Sequence, residues 1–245
     1  MRLRVLCGLV FMSIAENIAV VRERVEAVAR RAGRSANSVV LMGVTKTHPP
    51  ERIREAHAAG LRVFGENRVQ EGAGKARALA DMRDAEWHMI GHLQTNKAGK
   101  AVELFGAVDS VDSVKLAEKL DAAAQSLGKK LSVLIEINVG GEAAKSGVAP
   151  DSPEFEELLQ ATPRFEALDF RGLMAVPPFT EDPEGVRPFF RKLRELRDAL
   201  AARKLPSIGM GVLSMGMSND FEVAIEEGST CVRVGTAIFG EREKT

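Results

Sequence analysis

The 245-residue sequence contains no tyrosine, only two cysteines and one tryptophan, and each shortage closes off a class of function. Without tyrosine no phenol is available as a catalytic base. Cys7 and Cys231 make no CxxC pair and are too few for a disulfide framework, which points to a reducing compartment and so to the cytoplasm. Neither cysteine has a recognisable Cys–His context, so a thiol nucleophile is not indicated. Net charge is also missing: Lys plus Arg and Asp plus Glu both total 34. No global field draws the chain to nucleic acid or to an anionic membrane, and any recognition of anions must be local. The apolar run Val5–Met12 follows two arginines but is too short to span a bilayer and is followed by no small-residue cleavage site. Residues 1–12 are therefore expected to be an extension outside the fold, which would occupy 13–245.

What is present is a regular alternation. Ser13 and Glu16 make a capping box ahead of Ile14, Ile18, Val21, Val25 and Val28 at helical spacing, which predicts an amphipathic helix to Arg31. Eight β-rich runs follow, at 39–45, 62–65, 86–91, 106–111, 132–139, 169–174, 211–214 and 230–234. Helical patterns lie between them at 50–59, 69–80, 113–127, 154–161, 183–203 and 220–227. Eight strands alternating with helices at this length predict one closed (β/α)8 barrel of the TIM type with an extra N-terminal helix. In such a barrel the chemistry sits where strands end and βα loops begin.

Lys46 closes the first run in Val44-Thr45-Lys46-Thr47-His48-Pro49, which places its ammonium at the mouth. A buried lysine with a lowered pKa forms a Schiff base with a carbonyl; the competing reading is a solvated surface lysine. The last two strand ends read Leu213-Ser214-Met215-Gly216-Met217-Ser218 and Val232-Arg233-Val234-Gly235-Thr236. Gly216 and Gly235 would let the backbone approach a phosphate, with Ser214 and Thr236 as hydroxyl donors. Phosphate sites recur after strands seven and eight of such barrels, although either glycine alone reads equally as an ordinary turn residue.

Arg233 shares the phase of Gly235, so it faces inward, toward either a ring nitrogen or a carboxylate partner. Asn67, after the second run, is a ligand contact or the N-cap of the next helix. His88 and His92 invite a metal reading, but four residues along a strand span about 13 Å, too far to share one ion. His88 is read instead as a hydrogen-bonded interior residue, and 94–97 as a helix start at the mouth.

Taken in order, these segments resemble the YggS/PROSC family of pyridoxal 5′-phosphate (PLP) binding proteins, also called PLP homeostasis proteins. The likeness runs from about Met12 to Gly240 and rests on the lysine motif, the 64–71 and 87–97 blocks, Lys145-Ser146-Gly147, Gly172-Leu173-Met174-Ala175-Val176-Pro177, the 213–221 block and 233–240. It implies a barrel similar to the alanine racemase N-terminal domain, with PLP held on Lys46 as an internal aldimine. It further implies Ser214, Gly235 and Thr236 on the phosphate, with Met215 in the same segment, Arg233 at the pyridine nitrogen, and Asn67 and Met174 near the ring. The implied role is to bind, buffer and deliver PLP, with apo PLP-dependent enzymes as recipients and a monomeric, non-enzymatic carrier. Lys145 is a candidate for transient attachment.

The principal rival is an amino-acid racemase of the alanine racemase kind. That design needs a lysine and a tyrosine on opposite faces of the cofactor, the tyrosine coming from a second domain. The absence of tyrosine, and of residues for another domain after Gly240, leaves at most weak one-base activity through Lys46. A Schiff-base aldolase acting on a phosphorylated sugar would share the mouth lysine and the phosphate cradle, and lacks only the PLP chromophore.

Overall fold

At Ser13 the helix-start signal is realised in full. The Ser13 hydroxyl accepts the Glu16 N–H at 3.2 Å while the Glu16 carboxylate accepts the Ser13 N–H at 2.7 Å, so two N-terminal donors are satisfied reciprocally. Helix α1 (Ile14–Arg31) then buries Ile14, Ile18, Val21, Val25 and Val28, the face its spacing marks out. The computed structural model describes residues 13–142 and 146–241. The expected extension 1–12 and Lys145 lie outside the described residues.

The eight runs are eight parallel strands: β1 (Val40–Val44), β2 (Val63–Glu66), β3 (Glu86–Met89), β4 (Ala107–Val111), β5 (Leu131–Glu136), β6 (Leu168–Met174), β7 (Ile208–Met217) and β8 (Cys231–Val234). They pair in sequence order and close through β8 on β1, with Val40 opposite Cys231 and Met42 opposite Arg233. The connecting helices are α2 (Pro50–Ala58), α3 (Val69–Ala78), α4 (Ala98–Leu104), α5 (Val114–Ser126), α6 (Pro153–Ala161), α7 (Arg187–Arg203) and α8 (Phe221–Glu226), with a final turn α9 (Thr236–Phe239). The expected helix start at 94–97 is a 3-10 turn, Thr95–Lys97, leading into α4.

Alternation divides each strand between two environments. On β5, Leu131, Val133 and Ile135 are fully buried in the outer core between strands and helices, a layer that runs through α4 to α7. A second outer core joins α1 and α2 to β8 and α9. The residues between, Ser132 and Leu134 on β5, face the barrel interior, where Met42, Val44, Ile90 and Cys231 form a small apolar plug. A cavity of about 900 Å³ lies below the plug, at the strands' N-terminal ends, around His88, Asp109 and Cys231. The strands' C-terminal ends are the mouth. At the end of α8, Glu227 is buried and lies 3.2, 3.0 and 2.8 Å from Arg187, Arg191 and Arg194, which ties α7 to α8.

β7 is the strand that departs most from expectation, ten residues rather than four. Its extra N-terminal residues, Ile208-Gly209-Met210, are interrupted by a glycine of weak strand propensity, and Ile208 pairs with Phe170 on β6.

Candidate functional site

The β1 ladder continues one bond past Val44, with the Thr45 N–H donating to the Gly65 carbonyl at 3.0 Å. Lys46 comes next, half-buried and in phase with the interior-facing Met42 and Val44. Thr47 then takes a left-handed conformation, φ 68°, before Pro49 and Pro50 open α2. The strand-end lysine therefore stands at the mouth, as its position predicts.

Arg233 is 4 % exposed and reaches across the interior. It donates to the Ser214 hydroxyl at 2.7 Å and to the Ala175 carbonyl at 2.8 Å. The carboxylate alternative is not realised: among the described residues no acid lies within ion-pair distance of its guanidinium. Burial pulls the guanidinium below the ordinary arginine range, against the more distant Cys231, Asp109, Glu136 and Asp220, which favour its charge.

Register sets Glu136, Met174 and Ser214 in one row across β5, β6 and β7, all fully or almost fully buried. Their neighbours Ile135, Leu173, Ala175, Leu213 and Met215 belong to the outer core. This corrects the reading of Met215: a one-residue step reverses the face of a strand, so its side chain packs under the helices and only its backbone borders the interior. Met174 is on the interior side. Burial raises the Glu136 carboxyl above the usual range, and the Ser146 hydroxyl donates to its Oε1 at 2.7 Å.

Between β7 and β8 the backbone N–H groups of Gly235 and Ala237 converge on one atom, the Ser218 hydroxyl, at 3.2 and 3.3 Å. Thr236 is exposed beside them at the start of α9. Ser214, expected in this cradle, lies deeper, on Arg233; β7 runs to Met217, so Ser218 is the first hydroxyl beyond the strand. The two glycines also differ. Gly216 has φ 94°, and a Cβ there would stand 2.5 Å from the Ala224 Cβ, so its smallness serves the packing of α8. A Cβ on Gly235 would meet Val44 at 3.5 Å and nothing closer, so packing does not demand a glycine there.

Asn67 does not cap α3; that boundary is Arg68, with no side-chain cap bond. The Asn67 Oδ1 is instead buried without a hydrogen-bond partner, an acceptor awaiting a donor. His88 is the expected interior residue, its Nδ1 3.0 Å from Asp109, whereas exposed His92 sits 3.5 Å from Asp112, so the two histidines serve different carboxylates. Burial opposes protonation of His88, but Asp109 outweighs it and the pKa is raised. Neither Ser218 nor Glu136 stands out as an individual position in the sequence. The first would have followed from a correct end for β7, the second from strand phase.

Comparison with known proteins places this geometry among relatives. Residues 15–243 match the family model described as alanine racemase, N-terminal domain. A pyridoxal phosphate homeostasis protein of Aquifex aeolicus is 48 % identical over 232 residues, which are 95 % of this chain and 100 % of the relative. PipY of Synechococcus elongatus, solved without PLP and with PLP bound, is 38 % identical, with TM-scores of 0.81 and 0.78; the match covers 93 % of this chain and 100 % of PipY. An alanine racemase of Clostridium difficile, 15 % identical with a TM-score of 0.69 over 94 % of this chain and 58 % of its own, shares the fold.

Proposed function

The chain belongs to the family of pyridoxal phosphate homeostasis proteins built on the alanine racemase N-terminal domain, and on that premise we propose that it binds PLP at the barrel mouth, carries it covalently on Lys46 and hands it on without a reaction of its own. The observation that carries this reading is the barrel's closure. β8 pairs with β1, so Gly235 lies against Val44, two residues before Lys46, and a cradle of backbone N–H donors adjoins a strand-end amine.

The residues present fit the cofactor. PLP supplies an aldehyde that condenses with an amine and a ring that delocalises negative charge. Lys46 would take the aldehyde. The Gly235 and Ala237 N–H groups with the Ser218 and Thr236 hydroxyls are donors suited to a phosphate dianion. Ser214 contributes by holding Arg233, whose guanidinium would face the ring nitrogen and keep it unprotonated, which weakens the ring as an electron sink. The orphaned Asn67 Oδ1 would accept from the ring hydroxyl, and Met174 would supply an apolar contact.

A carrier rather than a racemase is favoured by the missing tyrosine and by the relatives' names, which speak of homeostasis. Apo PLP-dependent enzymes are the proposed recipients and the cytoplasm, in keeping with the sparse cysteines, the proposed location of a monomeric carrier. Among the described residues no helix is long and apolar enough to cross a membrane. Borohydride reduction in the presence of PLP followed by peptide mapping tests the central claim. The label is expected on Lys46, and folded Lys46→Ala is expected to lose the visible chromophore; a chromophore retained in that variant would refute the assignment.

A further inference from the structure

The two peptide groups that flank Lys46 are both held by one buried charge cluster on the β2–α3 unit. Lys75 on α3 is 6 % exposed, and its Nζ donates to the Thr45 carbonyl at 2.6 Å, to Glu66 Oε1 at 2.7 Å and to Glu71 Oε1 at 2.7 Å. Three bonds occupy all three ammonium protons, so Lys75 is a strut and not a second attachment point. The same Glu71 oxygen accepts the Thr47 N–H, and Glu66 Oε1 also accepts the Thr45 hydroxyl. The carbonyl before Lys46 and the N–H after it thus end on the same ion-pair network.

The network fixes a conformation the chain would not choose. Thr47 is β-branched at φ 68°, a backbone conformation that disfavours a side chain of that shape and persists only if its surroundings over-determine it. The Glu71 bond to its N–H does so. Glu71 is held as an anion: burial raises its carboxyl, but the bonds from Lys75 and Thr47 outweigh it and the pKa falls. Fully buried Glu66 goes the other way, burial outweighing Lys75 and Thr45. The charge that grips Thr47 is therefore the one on Glu71.

We propose that Glu71 and Lys75, seated on Glu66, are positioning residues for Lys46: by clamping both flanking peptides and the left-handed Thr47 they hold its amine aimed into the mouth before any ligand arrives. The inference rests on the PLP-carrier reading and deepens it, by saying what would aim this one lysine at the aldehyde.

The test separates attachment from binding. Wild type, Glu71→Gln, Lys75→Met and Glu71→Gln/Thr47→Gly are compared by the rate at which the visible chromophore grows with PLP, and by affinity for pyridoxine 5′-phosphate, which has the phosphate and ring but no aldehyde. Circular dichroism and thermal melts certify folding, and Arg203→Gln, which breaks a surface ion pair with Glu156 on the barrel's outside, serves as control. Glu71→Gln should attach PLP about 10-fold or more slowly while binding pyridoxine 5′-phosphate within about twofold of wild type, because a misaimed amine loses near-attack geometry and the phosphate cradle does not. Thr47→Gly should rescue that rate to within about threefold of wild type, since glycine takes φ 68° without a clamp. Unchanged attachment in Glu71→Gln, or an equal loss of attachment and of pyridoxine 5′-phosphate binding, would overturn the proposal. Should Lys75→Met not fold, the half-exposed Glu71 variant and its glycine rescue still decide. If borohydride mapping finds no label on Lys46 of wild type, the carrier reading itself fails, and that result is read before any variant.

Discussion

Gly216 and Gly235 occupy similar motifs near the ends of adjacent strands, yet alanine at the two positions should fail in different ways. At Gly216 the added Cβ would be 2.5 Å from the Ala224 Cβ and 3.0 Å from the Phe221 Cα, with φ at 94°. The left-handed backbone costs an L-residue about 1–2 kcal/mol and the overpacking about 1–3 kcal/mol more, so Gly216→Ala should lose roughly 2–5 kcal/mol of stability. For a chain of this size that is on the order of 5–20 °C in Tm. At Gly235 φ is −108° and the new Cβ makes only ordinary contact with Val44 at 3.5 and 3.6 Å, so folding should change by less than about 1 kcal/mol. Binding should suffer instead. A methyl group beside the N–H cradle would displace at least one charge-assisted hydrogen bond of about 1.5–3 kcal/mol, roughly a 10- to 150-fold weaker grip on PLP. Pyridoxal, lacking the phosphate, should be bound almost as by wild type. Scanning fluorimetry of the ligand-free proteins and titration with both ligands measure each quantity. Gly235→Ala with wild-type preference for PLP over pyridoxal, or Gly216→Ala with an unchanged Tm, would refute the division of labour.

Arg233→Gln should shift the absorption of bound PLP while leaving the PLP-over-pyridoxal ratio within about threefold of wild type, because its partners are Ser214 and Ala175 rather than the cradle; spectra and the same titrations check this. The Cys231 thiol, pushed up to about 12 chiefly by burial, should resist alkylation at pH 8 by about 1000-fold or more relative to the unfolded chain, measured in a Cys7→Ser background; comparable rates in a folded sample would contradict it. Glu227→Gln should destabilise by about 1–2 kcal/mol, since three partly exposed arginines lose the buried acid they surround. Burial raises the Glu227 carboxyl, but Arg191 and Arg187 outweigh it and the folded pKa is depressed. Its contribution is therefore full above the unfolded value near 4.5 and lost as pH falls through the folded one, so urea melts of wild type and variant should converge below pH 4.5.

The fold was legible because short β-rich runs alternating with helical patterns recur eight times, and closure into a barrel follows from that count. The ends of the strands were less so. Gly209 and Gly211 disguise β7, and its extension to Met217 sets Ser218, not Ser214, as the first hydroxyl beyond the strand. The Met215 side chain turns away from the interior for a related reason: segment membership says nothing about face until the strand's phase is fixed. The Lys75 cluster was out of reach altogether. Its bond to Thr45 joins residues thirty apart, and nothing local separates a buried lysine from the many that sit in solvent.

The distribution of committed hydrogen bonds bears on why such a site holds a cofactor. Lys75 spends every proton on the backbone and carboxylates around Lys46, Arg233 is tied to Ser214 and Ala175, and the Ser218 hydroxyl is engaged by two backbone donors. Groups fixed in this way orient and bind; they are poorly placed to shuttle a proton, which requires a group that exchanges partners and titrates near the working pH. Glu136 is different, a buried carboxyl with its pKa raised, one oxygen on Ser146 and the other without a partner, in the same row as Met174 and Ser214. On the proposed placement of Lys46 and Arg233, the chain has no tyrosine to set against the lysine and a guanidinium where an acid would strengthen an electron sink, and one buried carboxyl would not by itself make the two opposed bases of a racemase. The fold is shared with the racemase, but fold alone does not carry the chemistry, which depends on the residues set into it.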